Sequence, residues 1–271
     1  MLAHPHSSIA ISALEKISTN PILFTQVPNL DVVVNKLVSF IDEASIPNSA
    51  GIKQTLSTEF LGYLKGKFSA NVQGPQKGAT PSIITKWANI TVTLTTNLLP
   101  AQLFPVVDMW RLAVLDEAFS SWCATPNAID PIQVLLVKAL STLNDPGSQA
   151  TGRNYILTAL RLLSNAFSNP ALAYNILSPS GKRPGATTLL VSALLHQDAA
   201  VRTAAASLAF NISAIVQKTR VNQMRTMNGS VEGLGEDGEW EVEVVSAILE
   251  SISNETQNEE ISKSFDAYRS I

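Results

Sequence analysis

Among its 271 residues the chain has one cysteine and three histidines, and 6% of it is aromatic. Charged residues make up only 15%, against about 25% in an ordinary soluble chain. A single cysteine, Cys123, excludes an internal disulfide framework and any multi-cysteine metal site. With only His4, His6 and His196 to draw on, the chain has little for zinc or for acid–base chemistry, and no Ser-His-Asp or Cys-His set can be assembled. No cofactor is expected. No continuous apolar run reaches the roughly 18–20 residues of a membrane span, and residues 1–20 lack the basic start and apolar core of a secretion signal. What is abundant is apolar material of the Leu, Ala, Ile and Val kind: hydrophobic residues reach 45%. That suffices for a sizeable core and excludes a fully disordered chain.

Charge is divided unevenly. Residues 231–271 hold eleven acids and two bases, net −9, and the other 230 residues hold seventeen bases and eleven acids, net +6. A mildly basic body attracts an acidic ligand through its field. Its bases are spread singly, without the clusters and interleaved aromatics of a nucleic-acid surface. The plain alternative is a solvated acidic end on an ordinary domain.

Apolar residues recur at helical spacing from Leu30 onward. Leu30, Val33, Val34, Leu37, Val38 and Ile41 share one face, and Asn29 offers a cap. A second helix is expected over 51–66, on the stripe Ile52, Leu56, Phe60 and Tyr63. The stretch 69–82 collects turn formers, and Thr80-Pro81 opens the next helix. Pro105 is compatible only with a helix start, so a helix is expected over 103–119 after a break at Leu99-Pro100. Asp145-Pro146-Gly147 reads as a turn. Further helices are expected over 132–143, 151–167, 170–178, 186–195, 198–217, 240–252 and 257–270, with 226–239 a mobile acidic loop. Residues 159–167 lie on 205–213 with an offset of 46, the spacing of armadillo- and HEAT-type repeats. The expected fold is all-α, a helical solenoid.

Several segments resemble one family. Leu103-Phe104-Pro105-Val106-Val107-Asp108-Met109-Trp110-Arg111-Leu112-Ala113 is similar to the LFPVLDxxRLA segment of PUL domains. These are the armadillo-like C-terminal modules of phospholipase-activating-protein-type ubiquitin adaptors and of fungal thioredoxin-like fusion proteins. Ala159-Leu160-Arg161, with Asn165 and Phe167, resembles the family's ALRxxxNxF helix. Leu208, Ala209, Asn211 and Ser213 resemble its LALNxS helix, and Ile248-Leu249-Glu250 and Tyr268-Arg269 its last helices. The resemblance implies a right-handed, armadillo-like stack of about six repeats over 29–271, with 1–28 as a leader. It implies a noncatalytic, cytoplasmic and also nuclear adaptor domain of the ubiquitin pathway. The partner implied is the acidic C-terminal tail of the AAA ATPase valosin-containing protein, not nucleic acid, membrane or a small-molecule substrate. A scaffold module of a thioredoxin-like or deubiquitinase-like fusion enzyme is the alternative.

By the same resemblance, Arg111 and Arg269 are the principal contacts to that tail. A guanidinium fork suits carboxylates. Arg111 could instead pair internally with Asp108 or Asp116, and Arg161 could line the groove or pair locally. Asn165 and Asn211 suit the backbone of an extended peptide, with one donor and one acceptor per amide, or they stitch neighbouring helices together. Trp110 and Trp87 are large enough to wall a pocket for the tail's aromatic residue, or else to fill the core. In two places the chain departs from the pattern. The family's last helix normally continues beyond the position of Ile271, and the acidic loop lies close to a site meant for an acidic ligand. Gly233-Leu234-Gly235-Glu236-Asp237-Gly238 matches a dinucleotide fingerprint only in letters, since no strand precedes it.

Overall fold

A computed structural model of the chain describes residues 19–68, 79–226 and 238–254. Every regular element among them is helical. The chain divides into two compact units, Leu23–Leu189 and a second formed by the N-terminal residues to Ile22 with Leu190–Ile271.

In the first unit the helices are α1 (Leu30–Glu43), α2 (Ser49–Gln54), a π turn (Thr55–Phe60), α3 (Leu61–Phe68), α4 (Pro81–Asn97), α5 (Pro100–Ala113), α6 (Glu117–Ala124), α7 (Pro131–Asn144), α8 (Pro146–Ala166) and α9 (Pro170–Leu177). Helix α10 (Arg183–Leu194) carries the chain into the second unit, which holds α11 (Ala199–Thr226) and α12 (Gly238–Asn254). Packing in the first unit runs in rows: α1 lies on α5 and α5 on α8, while α4 lies on α7 and α6 on α9. Such rows of like helices are the signature of an α-solenoid.

Proline sets the rhythm. Five helices begin with Pro at the first position: α4, α5, α7, α8 and α9. There the missing N–H costs nothing and the ring's φ is already helical. In four of them the preceding residue caps the helix through its side chain: Thr80, Asp130, Asp145 and Asn169. Asp145-Pro146-Gly147 is therefore not a turn but a capped helix start, which lengthens α8 by five residues beyond the expected 151. The expected break at Leu99-Pro100 is also a helix start. Leu99 N–H donates to Gln102 Oε1 at 3.1 Å, and Pro105 lies inside the helix. A proline there removes one hydrogen bond, a cost of about 3 kcal/mol that burial of its ring opposes.

The expected single helix 103–119 is two helices. Asp116 breaks it, with an extended backbone and its carboxylate accepting from Ala118 N–H at 2.8 Å. Lys67 Nζ sits 2.6 Å from the same carboxylate. Burial opposes the charge on Asp116, but Lys67 and the capping N–H hold its carboxyl below the usual range. The π turn accounts for another difference. Its wider turn puts Ile52, Leu56, Phe60 and Leu64 on the buried face, so Leu64 takes the place expected for Tyr63. Phe60 then stacks on Trp87 with 4.0 Å between ring centroids.

Unit two is built on α11 and α12, whose buried faces include Ala205, Leu208, Ala209 and Ile212 on one and Val244, Ala247 and Ile248 on the other. Arg220 and Glu241 pair across them. Within α11, Ala199–Asn222 is long and apolar enough to cross a membrane by length and composition, contrary to the expectation from sequence; 61% of its most apolar window is buried inside the protein, as in a core helix. The expected loop 226–239 lies mostly outside the described residues, and the expected helix 257–270 wholly so.

Where α7 and α8 pack, a Cβ built on Gly152 would lie 2.3 Å from Thr142 Cγ2. Gly152→Ala should destabilise the protein by about 1–3 kcal/mol through this overlap. Removing the offending methyl in Gly152→Ala/Thr142→Ser should restore stability, helped by alanine's better helix propensity of about 1 kcal/mol. Urea denaturation of the two variants checks the reversal.

Candidate peptide-binding site

The last turns of α5 and α8 bring Arg111, Arg161 and Asn165 together around the chain's own residues 24–26. Arg111 is buried, at 5% exposure. Its Nε donates to Asp108 Oδ1 at 2.6 Å, one turn earlier on α5. The expected internal pair with Asp108 is thus present, and Asp116 is engaged elsewhere. One pair does not exhaust the fork. The two terminal nitrogens of Arg111 donate to Phe24 O and, at 3.0 Å, to Gln26 O.

Asn165, with no exposure to solvent, works at both ends of its amide. Its Oδ1 accepts from Phe24 N–H at 2.7 Å, and its Nδ2 donates to Phe24 O at 3.0 Å and to Arg111 O at 2.8 Å. Of the two roles expected of this residue, the stitching one is present: it ties α8 to an end carbonyl of α5, and it also holds both main-chain groups of the chain's own Phe24. In the second unit Asn211 makes the same reciprocal pair with Ile22, accepting at 2.7 Å and donating at 2.9 Å. Residues 22 and 24, expected to lie in a leader, are thus each paired through both main-chain groups.

Arg161 lies over the ring of Phe24, its guanidinium carbon 5.2 Å from the centroid. Its Nε is buried without a hydrogen-bond partner among the described residues. Burial lowers its pKa, and the neighbouring Arg111 cation lowers it further, with Asp108 opposing. Two guanidinium groups thus share one nearby carboxylate.

Trp110 does not wall a pocket. It is fully buried, its Nε1 donates to Thr91 Oγ1 at 2.8 Å, and it packs on Trp87 and Phe119 at 6.0 and 5.7 Å. Both tryptophans fill the core, the alternative role expected of such large rings. Arg269 lies outside the described residues. The sequence reading missed Phe24 and Gln26 altogether. Their signal is weak, because the contacts use main-chain atoms that every residue carries.

No group of three or more His, Cys, Asp or Glu among the described residues could hold a metal ion. His196 Nδ1 accepts from Asp198 N–H at 3.0 Å, near the start of α11. The PUL domain family model matches residues 18–264. The chain is a PUL domain. Comparisons with curated proteins and with solved structures give no match. PUL domains are protein-interaction domains, which agrees with a site built to grip extended backbone.

Asn165→Ala should cost about 1–3 kcal/mol by stranding Arg111 O in the interior, and hydrogen exchange at the Phe24 amide should accelerate in step. Cys123 should be inert in the native state. It is 3% exposed, and burial, reinforced by Asp130 and opposed by Lys182, pushes its thiol up to about 12. A thiol reagent at neutral pH should label it at the rate of global unfolding and at once in denaturant.

Proposed function

We propose that this PUL domain is a noncatalytic adaptor that docks the acidic C-terminal tail of the AAA ATPase valosin-containing protein in ubiquitin-dependent protein handling. The observation that carries this reading is that Arg111 and Arg161 lie beside a backbone-reading amide around residues 24–26, with Asp108 paired to Arg111 and Arg161 Nε without a hydrogen-bond partner among the described residues. Arg161 is half-buried, and a guanidinium whose Nε is buried without a partner gains from a carboxylate brought to it. An acidic tail supplies that group, and an aromatic side chain near its end suits the face of Arg161 that already receives a ring. Family resemblance adds Arg269 as a second contact.

Titration of a synthetic acidic peptide with an aromatic residue near its C-terminus tests the reading. Arg161→Gln should weaken binding about tenfold, since charge-assisted contacts are worth on the order of 1.5–3 kcal/mol. Arg269→Ala should act in the same direction. Binding should fall with added salt, because one partner is exposed and acidic. Equal affinity for wild type and both variants, with the helical spectrum intact, overturns this function.

A further inference from the structure

Helix α12 carries two apolar faces where a surface helix needs one. Its inner face, with Val244, Ala247, Ile248 and Ser251, is buried. A second stripe, Val242, Val245, Leu249 and Ile252, runs at the spacing of the a and d positions of a heptad. Val242 is 65% exposed, Val245 49% and Leu249 62%, and Ile252 is half-buried. Among the described residues no other helix exposes more than one large apolar side chain. The stripe is therefore a patch and not the ordinary scatter of surface hydrophobics. At 1.5 Å per residue it is about 15 Å long, three turns of helix.

Charge says what fits it. Glu239, Glu243 and Glu250 are exposed along one flank of the stripe, and none has an ion-pair partner among the described residues. Glu241, on the opposite flank, pairs with Arg220. An apolar seat edged by unanswered carboxylates matches an apolar stripe edged by bases.

We infer that this face of α12 docks an amphipathic helix of another protein, one whose apolar stripe is flanked by Lys or Arg. Such a helix lays its anchors along Val242, Val245 and Leu249 and sets its bases opposite the three glutamates. Two other occupants are at a disadvantage. A second copy paired antiparallel brings the glutamates against their own like. Residues 255–271 of the chain hold four acids and two bases, so they add negative charge to a negative flank. The inference is independent of the tail site, whose residues lie on α5 and α8.

The probe is a fluorescent 18-residue peptide with leucine at a and d, lysine and arginine on both flanks, and alanine and glutamine at its other positions. Titrated into the full chain, it should bind with a Kd on the order of 10–100 μM, as befits a three-turn seat. Val245→Gln/Leu249→Gln, which keeps helix propensity, should weaken binding about tenfold. Glu243→Lys/Glu250→Lys should do the same at low salt and less at high salt. Val137→Gln, at an exposed apolar residue of α7, should match wild type. The same peptide in scrambled order, which has no stripe, should not bind. Absence of binding at millimolar peptide, equal binding of the scrambled peptide, or equal affinity of the Val245→Gln/Leu249→Gln variant overturns the inference.

Measurements on the free chain separate the other occupants. Val245→Gln/Leu249→Gln should leave the thermal midpoint and the sedimentation coefficient unchanged. A lowered midpoint shows that the chain covers the stripe itself. A wild-type dimer that the glutamine pair dissociates shows that a second copy does. Either result overturns docking of a basic helix.

Discussion

Everything about the site depends on one buried amide. Asn165 sits on a helix among apolar side chains, where an unsatisfied donor or acceptor costs about 1–3 kcal/mol. Its oxygen and both its hydrogens are used. One hydrogen goes to Arg111 O, a carbonyl near the C-terminus of α5 that has no acceptor role in a further helical turn. The remaining donor and acceptor form a matched pair that takes both the N–H and the C=O of Phe24. The same residue therefore closes a helix end and holds the segment beside it.

Arg111 and Arg161 add charge to that geometry. Arg111 is tolerated in the interior because Asp108 and the carbonyls of Phe24 and Gln26 take its three donating nitrogens. Arg161 is less well served, with a ring beneath it and an unpartnered Nε. Asp108 opposes the repulsion that Arg111 exerts on Arg161.

Much of the fold was legible because it rests on periodicity. The stripe of α1, with Leu30, Val34, Leu37 and Ile41 buried, appears in the structure as the 3.6-residue spacing implies. Boundaries were harder where one residue has two uses. A proline inside or at the head of a helix looks the same in sequence, and the difference at Asp145-Pro146 is made by an aspartate that caps. Asp116 could continue a helix or begin one, and in the structure it caps the next helix while pairing with Lys67, distant in sequence. The extra residue of the π turn moved the buried stripe from Tyr63 to Leu64, a shift that regular spacing does not anticipate.

The site was legible only in its side chains. Arg111, Arg161, Asn165 and Asn211 carry chemistry that a sequence displays; the atoms they hold belong to the backbone of residues 22–26, and backbone leaves no mark in a sequence. Trp110 erred in the other direction, since a large amphipathic ring suits a pocket wall and a core equally, and Thr91 decided for the core by accepting its N–H. These cases share a cause. Side chains whose needs are met by local neighbours can be read in advance, whereas a group with a donor or acceptor left over is assigned only when its distant partner is found. For Asn165 that partner is main chain of no particular identity, the N–H and C=O of Phe24.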